Sequence, residues 1–224
     1  MAMPFFKIKN ENKLVITNFK VMFSSFKKTS HFTKIKRYHA YFNIKCTNPT
    51  AYFVVRDPYQ KAASFYKDKF QLIPQRADLS KPFKWEKPQR VFFPGLGLSV
   101  KNNTDEEIAQ TLINTSFETF IELLADCYHL DEHIHPQHWV LNHPQYWYLP
   151  NLNINAKSLN IFKMDDAEGI QQFSTQTGFD NAQRANSTKA IGKIQPMNAN
   201  ILGILNRIYQ QDFEKYNYPM QKAS

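Results

Sequence analysis

The chain has 224 residues, with 12 Pro, 6 Gly, 42% hydrophobic and 15% aromatic residues, and 28 basic against 19 acidic side chains. That is enough apolar material for a packed core, and it excludes collagen-like, disordered and disulfide-scaffold classes. The charge is lopsided: residues 1–46 carry ten of the basic residues and one acid, Glu11, so the whole net charge of +9 belongs to one fifth of the chain. An anion is expected to meet that end.

Met1–Phe6 is apolar but is broken at once by Lys7, Lys9, Asn10 and Glu11, so it does not read as a leader. No run reaches the ~18 apolar residues of a membrane span. Cys46 and Cys127 lack metal or CxxC spacing and read as reduced thiols. The expectation is a soluble, cytoplasmic protein of one domain.

Leu14–Asn18 is a short β-branched run and predicts a buried strand. After it, Lys20 precedes Ser24 and Ser25, which suit a helix start. Tyr52–Val55 predicts a second buried strand, ending at Arg56-Asp57-Pro58, where Asp57 is a cap and Pro58 a first helical residue. The helix is expected to run to about Phe70. Residues 71–104, with four prolines, read as a long surface excursion. Thr115-Ser116-Phe117-Glu118 reads as a capping box for a helix Phe117–Cys127. A His-rich segment, 129–143, follows, and 129–157 reads as a second excursion. Ser158–Met164 predicts a third strand, Asp165 and Asp166 cap a helix to about Gln176, and Ile201 to Phe213 marks a long amphipathic helix. Strand–helix alternation implies an α/β domain with a mainly parallel sheet, its ligand at the carboxyl ends of the strands.

Two strand-to-helix junctions offer groups for an anion. Lys20, Ser24 and Ser25 lie at one, Arg56 and Ser64 at the other. The first contains no glycine and is not a Walker A loop. The second, Arg56-Asp57-Pro58 through Ser64 to Phe70, closely resembles the RDPxxRxxSxYxxKF segment of carbohydrate sulfotransferases. Lys20 to Lys27 is similar to that family's PKxGxSxxK loop, Asp131 to Gln137 to its DxHxxPQ segment, Arg184 to Thr188 to its late N-x-S element, and Tyr209 to Tyr218 to its terminal YxxDFxxFxY pattern. The matches keep the family's order.

The resemblance implies a P-loop-NTPase-like α/β domain, with a central mainly parallel sheet flanked by helices. It implies a transferase that moves a sulfuryl group from 3′-phosphoadenosine 5′-phosphosulfate (PAPS) to a hydroxyl of a carbohydrate or glycolipid, without a metal. Lys20, Val21, Met22, Phe23, Ser24 and Ser25 would hold the 5′-phosphosulfate, with Lys20 catalytic. Arg56 and Ser64 would hold the 3′-phosphate, and Asn186 and Ser187 would close over the nucleotide. His39 is the candidate general base, with His31 behind it.

Three departures stand out. Phe19 replaces Pro and Met22 replaces Gly in the loop, which is expected to be wider, and Lys61 replaces the second Arg of the RDP segment, losing its fork. The spacing of His129, His133, His135, His138 and His143 matches no metal motif. Trp85, Trp139 and Trp147 are core or sugar-stacking candidates. A nucleic-acid-binding protein using the basic aromatic N-terminal segment accounts for the charge but not for the RDP segment. A nucleotide phosphotransferase would want a Gly-rich loop, and a catalytically inactive relative is the remaining alternative. The acceptor and the oligomeric state are not written in the sequence.

Overall fold

The computed structural model describes residues 5–142, 159–180 and 197–222. In chain order its elements are β1 (Phe5–Ile8), β2 (Lys13–Ile16), α1 (Phe23–Lys28), β3 (Phe32–Lys34), α2 (Arg37–Thr47), β4 (Thr50–Val55) and α3 (Pro58–Tyr66). Then come a π-helical stretch (Lys67–Leu72), α4 (Ile73–Arg76), α5 (Lys87–Arg90), a 3-10 turn (Pro94–Leu96), α6 (Asp105–Asn114) and α7 (Phe117–Cys127). The last are α8 (Trp139–Asn142), β5 (Leu159–Lys163), α9 (Ala167–Thr177) and α10 (Ala199–Lys215). The chain divides into two compact units, one within Met1–Asp57, Pro136–Thr188 and Glu214–Tyr218, the other within Pro58–His135, Lys189–Phe213 and Pro219–Ser224.

The first unit holds a five-stranded sheet in the order β3-β1-β2-β4-β5. β2, β4 and β5 are parallel, with Val15 beside Tyr52 and Tyr52 beside Asn160. β1 is antiparallel to both β2 and β3. The sheet is therefore mixed rather than mainly parallel. The correction comes from Phe5–Ile8: four residues, to which sequence reading gave no strand, bury Phe5 and Phe6 on opposite faces and pair antiparallel on both edges.

Alternation assigns the faces. Phe6, Ile8, Val15, Tyr52, Val54 and Phe162 share one core with Phe26 of α1 and with Ile170 and Phe173 of α9. On the other face Phe5, Leu14, Ile16, Phe53 and Val55 are buried, and Tyr216 stands edge-on to Phe53 at 5.8 Å. Each of these side chains contributes about 1.5–3 kcal/mol by leaving water. Burial on both faces explains why these strands read as apolar runs instead of alternating ones.

In the second unit, α3 continues through the π-helical stretch into α4. Phe65, Phe70, Phe92 and Phe120 form an aromatic core, with Phe70 5.1 Å from both Phe92 and Phe120. Residues 71–104 are not a bare surface loop. Trp85, Gln89, Phe92 and Phe93 are buried, and Trp85 Nε1 donates to Asp105 Oδ1 at 2.7 Å. Trp85 is thus core. α7 has the expected bounds, but its cap is Ser116, whose hydroxyl accepts from the Thr119 N–H. The capping box is Thr104 with Glu107, at the start of α6. Among the described residues no helix is long and apolar enough to cross a membrane.

Candidate active site

Two loops leave the carboxyl ends of neighbouring parallel strands, residues 17–22 after β2 and Arg56-Asp57 after β4. The first is shaped by its own short hydrogen bonds. Thr17 Oγ1 donates to the Val21 carbonyl, and the Val21 N–H donates to the Asn18 carbonyl at 3.1 Å. The chain turns through two left-handed residues, Lys20 at φ 67° and Met22 at φ 54°. Met22, which replaces the Gly of the loop this segment resembles, takes up the left-handed conformation that favours glycine. The αL strain of roughly 1–2 kcal/mol is offset by burying the Met22 side chain in the core beside Val21 and Phe26. Val21 and Met22 thus turn their side chains inward. Ser25 is buried, whereas Ser24 is exposed and Lys20 half-exposed.

Arg56 is only 2% exposed. Its Nη1 donates to the Lys20 carbonyl at 3.2 Å, so the structure brings together the two cationic residues that the sequence singled out. Its main chain is gripped from another direction: Gln137 Oε1 accepts from the Arg56 N–H at 2.9 Å, and Gln137 Nε2 donates to the Arg56 carbonyl at 2.7 Å. Asn18 Nδ2 donates to the Gln137 carbonyl at 3.4 Å. Sequence reading placed Gln137 in a family-like segment without giving it a role. Its signal is long-range pairing, which local patterns do not carry.

The mouth of β5 adds carboxylates. Asp166 caps α9, but Asp165 accepts from the Asp57 N–H at 3.3 Å and from the Tyr218 hydroxyl at 2.9 Å. Burial and then the charges of Asp165 and Asp57 push the Tyr218 hydroxyl well above its usual range, against the opposing pull of Arg56. Lys163 lies over the Tyr218 ring at 4.6 Å and donates to the Asn217 carbonyl at 2.7 Å. Tyr216 and Tyr218 of the terminal pattern are therefore packing and hydrogen-bonding anchors of this unit.

His39, on α2, is exposed and stands against Tyr38 with ring centres 4.2 Å apart. It makes no side-chain hydrogen bond to a described residue, which leaves its imidazole open to solvent. His31 Nε2 lies 3.1 Å from the Thr177 carbonyl, an anchoring contact. Ser64 is half-buried on α3 in the second unit.

Lys61, in the same unit, is 1% exposed and donates to the His135 carbonyl at 2.7 Å, with Nζ 5.5 Å from the Tyr209 ring centre. The Tyr209 hydroxyl donates to the Ile134 carbonyl at 2.8 Å. Burial and the Asp212 charge raise that hydroxyl strongly. Lys61 and Tyr209 thus hold the segment that precedes Gln137 in the chain. Within it, His133 Nδ1 lies 2.7 Å from Asp131 Oδ1 and His135 Nε2 3.0 Å from the His129 carbonyl. Burial would raise the Asp131 carboxyl, but the hydrogen bonds and charge of His133 outweigh it and hold the carboxyl below its usual range. Among the described residues no group of three or more His, Cys, Asp or Glu could hold a metal ion. Asn186, Ser187, His143 and Trp147 lie outside the described residues.

A buried guanidinium and a lysine thus stand beyond the carboxyl ends of adjacent parallel strands, the place where open α/β sheets bind their ligands. A family model described as Sulfotransferase family matches residues 5–219. The chain belongs to that family, and its general activity is sulfotransfer. No curated protein and no solved structure matches it.

Proposed function

We propose that the protein is a PAPS-dependent carbohydrate sulfotransferase with a P-loop-like donor site. The observation that carries this reading is the hydrogen bond from Arg56 to the Lys20 carbonyl, which sets two cationic groups at the carboxyl ends of β4 and β2. A nucleotide with phosphate at both ends needs two such groups, and family membership supports a sulfate donor.

Lys20 neutralises the charge that grows on the donor's 5′-phosphate as the sulfur–oxygen bond breaks. The exposed Ser24 hydroxyl, rather than buried Ser25, joins it, together with the amides around Met22 and Phe23. The Val21 N–H already serves the Asn18 carbonyl and holds the loop's shape. Arg56 binds the 3′-phosphate, and Asn186 and Ser187 cover the nucleotide. The new sulfur–oxygen bond forms to an acceptor hydroxyl whose proton passes to the imidazole of His39. These side chains accomplish the transfer by position and charge.

Lys7, Lys9, Lys27, Lys28, Lys34, Lys36 and Lys45 are all exposed on the first unit. They favour an acidic glycan acceptor over a neutral one. Calorimetry with 3′-phosphoadenosine 5′-phosphate (PAP) tests the reading. Micromolar binding that disappears in Arg56→Ala supports it, and absence of binding to the wild-type chain overturns it.

A further inference from the structure

Gln137 occupies the place of a missing strand residue. The Val55 carbonyl is taken by the Met164 N–H on the β5 side. Main-chain groups of successive strand residues face opposite edges, so those of Arg56 face the β2 side. There the β2–β4 pairing has already ended at Ile16 beside Phe53, because the chain leaves the sheet at Thr17 to form the loop. The Arg56 N–H and carbonyl are thus buried and beyond the reach of β2, and a buried main-chain group left unsatisfied is destabilising. The Gln137 amide, 0% exposed, presents one acceptor and one donor at the spacing of a peptide and closes both bonds.

A primary amide does this with a single side chain, whereas an ionised carboxylate of the same length accepts but donates nothing. The remaining contacts close a circuit. Gln137 holds the Arg56 main chain, Arg56 holds the Lys20 carbonyl, and Asn18 from the same loop holds the Gln137 carbonyl. Lys20 at φ 67° is in a conformation that a non-glycine residue keeps only where its surroundings impose it.

We infer that Gln137 is a positioning residue that fixes Arg56 at the end of β4 and, through the Arg56 guanidinium, the left-handed turn that carries Lys20. It sets the separation of the two cationic groups and so matches the site to a ligand bearing two anionic ends. The ligand half of this inference rests on the donor reading above; the circuit itself does not.

The test uses Gln137→Met, which keeps length and burial, and Gln137→Glu, which keeps the acceptor alone. Near-UV circular dichroism establishes that each variant is folded. Two quantities are then read: PAP affinity by calorimetry, and hydrogen exchange of the amides at 19–22. Both variants are expected to lose PAP affinity by roughly tenfold to a hundredfold, as a displaced support does, and to exchange faster in the loop. In an Arg56→Ala background Gln137→Met is expected to add little to the exchange rate at 19–22, because it acts through Arg56. Undiminished affinity in a folded variant overturns the inference, as does an exchange increase that adds in full to that of Arg56→Ala. Should Gln137→Met fail to fold, Gln137→Glu decides. If the wild-type chain binds no PAP, the donor reading fails by itself, and the circuit is judged on exchange alone: unchanged protection at 19–22 in a folded variant overturns it.

Discussion

Arg56 touches Lys20 through the main chain of Lys20 and not through its ammonium group. The guanidinium Nη1 is 3.2 Å from the Lys20 carbonyl oxygen, and the side chain of Lys20 stays half-exposed. The two residues are therefore coupled in position and separable by mutation. Truncating Lys20 leaves its carbonyl, and hence the Arg56 contact, in place.

This separability makes the first prediction. Lys20→Ala is expected to lower turnover by about 10²–10³, the usual effect of removing a group aimed at developing charge, while PAP binding weakens far less. Arg56→Ala is expected to abolish PAP binding. Arg56→Lys keeps the charge but lacks the fork that serves a phosphate and the Lys20 carbonyl together, so its affinity should be closer to that of Ala than to wild type. Calorimetry and single-turnover kinetics on the three variants check the split; equal losses of binding in Lys20→Ala and Arg56→Ala would contradict it.

Met22 yields a prediction about stability with an unusual sign. The residue combines a left-handed backbone with a side chain in the core. Met22→Ala empties the pocket and keeps the strain, for a loss of about 2–5 kcal/mol. Met22→Gly empties the pocket and relieves the strain. In most settings glycine is the less stable of the two by roughly 0.5–1 kcal/mol. At Met22 the order should reverse, with Gly at least as stable as Ala in urea denaturation. An Ala variant clearly more stable than Gly would show that the loop relaxes out of its left-handed turn.

How far the sequence carried this account depended on the range of the interactions. β4, its end at Arg56 and the start of α3 at Pro58 were legible because strand hydrophobicity, charge and proline act within a few residues. β1 and β3 were not, since strands of four and three residues have no periodicity to read, and they exist through pairing with β2 and with each other. Within the site, Lys20 and Arg56 announced themselves as cations at strand ends. Gln137 did not, because its contact with Arg56 spans 81 residues. Lys61 illustrates the converse. It was read only as a lysine in place of the second Arg of the RDP segment, but its ammonium is directed to the His135 carbonyl, a partner that lies 74 residues away.

The Asp131–His133 pair predicts a pH dependence. A carboxyl held below its unfolded value favours the folded state at pH values above the unfolded carboxyl range, and that contribution is lost as pH falls through the folded value. Asp131→Asn should therefore destabilise the protein near neutrality by roughly 1.5–3 kcal/mol, the worth of hydrogen bonds to a charged group. The gap from wild type should narrow as acid titrates the wild-type carboxyl. Chemical denaturation of both chains between pH 7 and about 3.5 measures the gap, and a gap independent of pH would assign the effect to packing alone.

The two cysteines should differ sharply in reactivity. Cys46 is exposed on α2, whereas Cys127 is buried at the end of α7. Burial first, then the nearby charges of Asp126 and Asp131, push the Cys127 thiol up to about 12. Because the thiolate is the nucleophile, a disulfide reagent at pH 8 should titrate one thiol in the native protein and both in denaturant. Two fast-reacting thiols in the native state would mean that α7 opens readily.

The last prediction concerns proton transfer. His39 is exposed and makes no side-chain hydrogen bond to a described residue, so its ring has no structural duty whose loss would unfold the first unit. His31 is different: its Nε2 meets the Thr177 carbonyl at the end of α9, and its ring stands edge-on to Phe32 at 4.6 Å. His39→Ala should accordingly leave thermal stability and PAP affinity unchanged while turnover falls by about 10²–10⁴, the range for loss of a general base. His31→Ala should lower stability first. Kinetics read beside thermal denaturation separate the two roles. A His39→Ala chain that folds, binds PAP and still turns over at the wild-type rate would move the base elsewhere.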